Sequence, residues 1–83
     1  MPEITRFYGI VIKIFFKGEH NPPHFHAAYG EYLGMFDIQT LEMTEGDLPN
    51  KAQNMIKEWA KKYQTEIKSM WDTKTLKKLP PLV

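Results

Sequence analysis

All three histidines of the 83-residue chain fall in one run, His20-Asn21-Pro22-Pro23-His24-Phe25-His26. Imidazole exchanges its proton near neutral pH and is the commonest metal ligand. His24 and His26 are two residues apart, so on a strand both side chains leave the same face. Pro22 and Pro23 fix φ and force an extended approach, which would hold the imidazoles rigidly. One chemistry this suits is acid–base catalysis by His24 and His26, with Asp37 fixing the tautomer of His24. Arg6, the only arginine, would bind phosphate, His20 would add to the binding surface, and Tyr29, with Tyr8 or Tyr32, would stack on a base. Together these would suit RNA cleavage. A second chemistry is a zinc or other divalent-metal site of His20, His24 and His26, with Asp37 as fourth ligand or as acceptor behind the ligands. The His20–His24 spacing is not a specific ligand pattern, so the expectation is no resident metal. A plainer reading weighs as much as both chemistries together: a rigid strand entry whose histidines cap backbone groups or face water.

Other chemistries are excluded or unsupported. Without cysteine there is no disulfide, thiolate metal site or cysteine nucleophile. Ser69 is the sole serine, and no nucleophile elbow or glycine-rich phosphate loop is present. No apolar run reaches bilayer-spanning length, and the N-terminus lacks the basic-then-apolar pattern of a signal peptide, so a cytoplasmic location is expected. The net charge of +1 is divided unevenly. Residues 1–50 hold three basic and seven acidic side chains, whereas residues 51–83 hold eight lysines and three acidic ones. The halves should attract each other. The lysines read first as a solvated helix face and second as a surface for an acidic partner or nucleic acid.

The elements that must position the histidines divide the chain in two. Residues 1–46 read as sheet. Ile4–Tyr8 and Ile10–Phe16 alternate as strand, with Gly9 read as a bulge between them. Ile10, Ile12, Ile14 and Phe16 share one face. His24–Tyr29 and Tyr32–Ile38 flank Gly30-Glu31, a two-residue hairpin with glycine first. That loop sets Tyr29 opposite Tyr32, Phe25 opposite Phe36 and His24 opposite Asp37. A short fourth strand is allowed around Glu42–Thr44. Within residues 47–73, Ala52, Met55, Ile56, Trp59, Ala60, Tyr63, Ile67, Met70 and Trp71 recur at helical spacing. They predict one amphipathic helix from about Pro49 to Trp71, with both tryptophans in the core. Residues 74–83 form an extended tail because Pro80-Pro81 cannot continue a helix. The expected fold is α+β: one domain, an antiparallel sheet of three strands with a fourth allowed, and a single long helix across one face.

Several segments also resemble a known family. They are Thr5-Arg6-Phe7-Tyr8-Gly9-Ile10-Val11-Ile12, the His20–His26 run, Tyr29-Gly30, Glu45-Gly46-Asp47-Leu48-Pro49 and Glu58-Trp59-Ala60. In order, they are similar to a family of small bacterial proteins known as a domain of unknown function, numbered four-one-six-zero. The resemblance implies Arg6, His20, His24 and His26 as signature positions. It also implies a gene neighbour encoding a second small protein, in a two-gene module of toxin–antitoxin kind. The leading expectation is a toxin-like component acting on RNA or translation through the histidines. The alternatives are a non-enzymatic antitoxin or adaptor that binds the neighbour's product, and a divalent-metal-binding module. Self-association is compatible with each, since so small a core gains from a partner.

Overall fold

The computed structural model describes residues 3–14 and 23–82. Phe16, the Lys17-Gly18-Glu19 turn signal and His20 lie outside the described residues. The chain is an antiparallel five-stranded meander followed by two helices, an α+β arrangement. The strands are β1 (Glu3–Phe7), β2 (Ile10–Lys13), β3 (His24–Tyr29), β4 (Tyr32–Asp37) and β5 (Met43–Gly46), adjacent in chain order. The helices are α1 (Asn50–Lys62) and α2 (Gln64–Thr73).

The sheet has five strands rather than three or four, and local backbone geometry supplies the reason. Tyr8 and Gly9 both adopt positive φ, +49° and +81°. Two such residues in succession make the turn whose twist matches a hairpin. The chain therefore reverses at Gly9 instead of bulging there, and β1 pairs with β2 through Arg6–Val11 and Phe7–Ile10. The bulge lies one turn earlier. Glu3 pairs with Lys13 but Thr5 pairs with Ile12, so one extra residue is inserted. Ile4 and Thr5 consequently both face inward, at 0% and 6% exposure. At the other edge, β5 joins β4 through Gly34–Gly46 and Met35–Glu45, with a second irregularity before Phe36–Met43.

The central hairpin follows the expected register: Tyr29–Tyr32, Phe25–Phe36 and His24–Asp37 are cross-strand partners. Gly30, at φ +61°, occupies the first turn position, where a side chain would be strained.

One sheet face carries the core. Ile10, Ile12, Ile14, Phe25, Phe36 and Ile38 are fully buried there, together with Ile56, Trp59 and Ile67 from the helices. Trp59 sits at its centre, with ring centroids 6.0 Å from Phe7, 6.1 Å from Phe25 and 5.8 Å from Tyr63. Glu42 of the acidic half meets Lys57 of the basic half at 3.1 Å.

The helical stripe is two helices, not one. Tyr63 breaks it with φ −115° and ψ 20°. No proline or glycine is responsible. Tyr63 N–H is shared between the carbonyls of Trp59 and Ala60, and its own carbonyl still accepts from Ile67 N–H. The next residue, Gln64, is clamped: its Nε2 donates to the carbonyls of Ile38 (2.7 Å) and Gln39 (2.9 Å) beyond the end of β4. Tertiary anchoring thus bends the helix where intrinsic preference would continue it. The tail after α2 is non-helical from Thr75 to Leu82. Leu79 N–H donates to the carbonyl of Ile4 on β1, Trp59 Nε1 donates to the carbonyl of Pro80 at 2.8 Å, and Leu79 is buried.

Candidate histidine site and sheet face

Alternation along β3 sends Phe25 and Ala27 into the core and His24, His26 and Ala28 to the other face. The imidazoles of His24 and His26 are neighbours, with ring centroids 5.3 Å apart and planes at 67°. Their environments differ. His24 is 8% exposed, its Nε2 is fully enclosed, and its ring lies 5.1 Å from that of Trp71 on α2. Trp71 is itself buried and carries Lys74 Nζ 4.4 Å from its ring centroid. His26 is half-buried and borders a shallow depression of about 190 Å³ with Leu33, Met35 and Glu45.

The other expected site residues are placed as follows. Asp37 stands opposite His24 in the register. Its Oδ1 accepts from the N–H groups of Gln39 (2.7 Å) and Thr40 (3.0 Å), closing the turn from β4 toward β5. An aspartate two residues before a turn centre is the usual signal for this role. Arg6 is exposed on β1, and its guanidinium holds the Glu3 carboxylate at 2.9 Å. This hydrogen bond lowers the Glu3 carboxyl from its ordinary pKa and raises the Arg6 guanidinium from its own. Tyr29 is half-buried at the hairpin end and stacks on Tyr32 at 6.4 Å. It stands beside the Gly9 and Gly30 turns, at the end of β3 opposite His24. Among the described residues, no group of three His, Asp or Glu side chains is arranged to hold a metal ion.

The register also assembles residues that the histidine motif does not announce. On the face opposite the core, which α2 reaches only at the His24 end through Trp71, one row crosses all five strands: Glu3, Lys13, His26, Met35 and Glu45. A second row beside it is Arg6, Val11, Ala28 and Leu33. Leu33 is 64% exposed, and Val11, Ala28 and Met35 are partly exposed. The alternation of β2 predicts Val11 and Lys13 on one face, but only the pairing of β4 with β5 brings Glu45 into line. A larger open groove of about 670 Å³ lies between α2 and the β4–β5 turn, with Gln39, Lys68, Ser69 and Asp72 on its walls. Its described lining holds no histidine. Among the described residues, no helix is long and apolar enough to cross a membrane.

No curated protein and no solved structure matches the chain. The family described as Domain of unknown function (DUF4160) matches residues 9–72. That span runs from the first hairpin turn to the end of α2, includes all three histidines and leaves Arg6 outside. Since it covers most of the sequence, the chain belongs to this family.

Proposed function

We propose that the protein is a non-enzymatic, protein-binding component of a two-gene, toxin–antitoxin-like module, and that the sheet face bearing His26 is its working surface. The observation that carries this reading is the pair of registered rows. Val11, Ala28, Leu33 and Met35 form an apolar centre that remains partly exposed, and Arg6, Lys13, His26 and Glu45 surround it. An apolar centre with a polar rim is the anatomy of a protein interface. An isolated exposed leucine needs no explanation, but Leu33 is continuous with three more apolar residues.

His24 supports the same reading. A general acid–base pair needs both imidazoles within reach of substrate. The ring of His24 is enclosed against Trp71 and contributes to packing, which leaves His26 as the accessible member. Arg6, the expected phosphate ligand, is engaged with Glu3. The family resemblance makes the product of the adjacent gene the first partner to test. Co-expressed with that product, the wild-type chain should co-purify as a stable complex. Leu33→Asp should abolish the complex while leaving the circular dichroism spectrum and melting temperature unchanged, because Leu33 is exposed. A complex that survives Leu33→Asp refutes the surface assignment.

The second reading, a toxin-like RNase, is favoured by the direct pairing of Lys13 with His26 beside His24, which sets a cation next to two imidazoles. It requires purified protein to cleave RNA and His26→Ala to stop that cleavage.

A further inference from the structure

The first row carries opposite charges at positions equally far from the β3–β4 midline, with Glu3 beyond them on β1. Lys13 lies on β2 and Glu45 on β5, with His26 on β3 and Met35 on β4 between them. Consider two copies packed sheet to sheet, which sets their backbones about 10 Å apart. A closed pair has a two-fold axis lying between the sheets. An axis across the strands along this row would place each residue over its own copy. Lys13 would face Lys13 and Glu45 would face Glu45, so like charges would meet at both ends. An axis along the strands, between β3 and β4, exchanges β3 with β4 and β2 with β5. Lys13 then faces Glu45 of the second copy, and symmetry makes this contact twice. His26 faces Met35, and in the neighbouring row Ala28 faces Leu33, so a small side chain receives a large one.

Resting on the reading that this face docks a protein, we infer that in the isolated chain it docks a second copy of the same chain, packed face to face about an axis between β3 and β4, with Lys13 of each copy paired with Glu45 of the other. Within one copy these residues are separated by two intervening strands, too far for a direct ion pair at about 4.8 Å per strand step. Any dependence of one on the other therefore reports the contact between copies. The apolar centre is small, so the dimer is a reversible one that dissociates on dilution.

The test is sedimentation equilibrium of the full chain across a concentration series. The wild type should pass from monomer to dimer. Lys13→Glu and Glu45→Lys should each shift the equilibrium strongly toward monomer, and the double variant carrying both should restore the dimer. Leu33→Asp serves as the independent check, because it sits at an exposed position and removes the apolar contact without touching the charges. A wild type that stays monomeric throughout overturns the inference, as does a charge-swapped double variant no more dimeric than its singles. If the wild type is monomeric but Leu33→Asp still destroys the complex with the adjacent gene's product, this inference falls and the reading of the face as a docking surface stands. If Leu33→Asp disturbs neither association, both fall.

Discussion

Replacing Trp59 with alanine is expected to cost about 3–5 kcal/mol, the range for removing a fully buried large aromatic side chain. For 83 residues the whole stability is on the order of 4–12 kcal/mol, so this one change would remove a large share of it. The size of the effect follows from what Trp59 joins. Its ring meets Phe7 of β1, Phe25 of β3 and Tyr63 at the bend between the helices. Its Nε1 holds the carbonyl of Pro80, so the same side chain ties the tail to the core. Trp59→Phe separates the contributions. It keeps most of the packing but deletes the hydrogen bond to the Pro80 carbonyl, and should cost about 1–2 kcal/mol. Urea denaturation followed by circular dichroism measures both. A loss below about 1 kcal/mol for the alanine variant would mean that the core is not organised around this residue.

Gly46→Ala is expected to have the second-largest effect. Gly46 has φ +127°, where a side chain is strained. A Cβ there would also come within 2.3 Å of the Leu33 carbonyl oxygen and 2.5 Å of Gly34 Cα. Both are backbone atoms of the paired strand and cannot swing aside. The strain alone is on the order of 1–3 kcal/mol, and relieving it means parting β5 from β4. The reciprocal contact of Asp47 with Leu33 would go with it, since Asp47 N–H donates to the Leu33 carbonyl and Asp47 Oδ1 accepts from Leu33 N–H. Amide hydrogen exchange should rise along Tyr32–Asp37 and Met43–Gly46 while protection in α1 is retained. Unchanged exchange across these strands would contradict the backbone geometry described for Gly46.

Much of the fold was legible because local rules and tertiary structure agree. The Gly30-Glu31 loop set the register of β3 and β4 to the residue, and the isoleucines at 10, 12 and 14 marked the core face by their spacing. Two features were not legible. The Tyr8-Gly9 turn contains a tyrosine at positive φ, which composition alone argues against, so the reversal read as a bulge. The bend at Tyr63 leaves no mark on the apolar periodicity, because Trp59, Tyr63, Ile67 and Met70 keep helical spacing through it. Its cause is Gln64 reaching the carbonyls of Ile38 and Gln39, 25 or more residues away in the chain.

The site divides in the same way. Period-two alternation correctly put His24 and His26 on one face, adjacent to each other. It could not assign them different surroundings, since the enclosure of His24 depends on where the second helix delivers Trp71. Asp37 was found at its predicted place opposite His24, with Oδ1 serving the turn that follows. The rows that include Lys13, Leu33 and Glu45 required the order of all five strands, which no single segment encodes.

We propose the sheet face around His26 as the surface through which this protein acts. Val11, Ala28, Leu33 and Met35 all carry methyl groups, so this role can be read directly by methyl-resolved NMR as the chain associates, by concentration with itself or by titration with the proposed partner protein. The methyl signals of these four residues should shift or broaden together, while those of Thr65 and Thr73, beside the open groove on α2, hold still. Shifts confined to Thr65 and Thr73, with the four sheet-face residues unmoved, would contradict it.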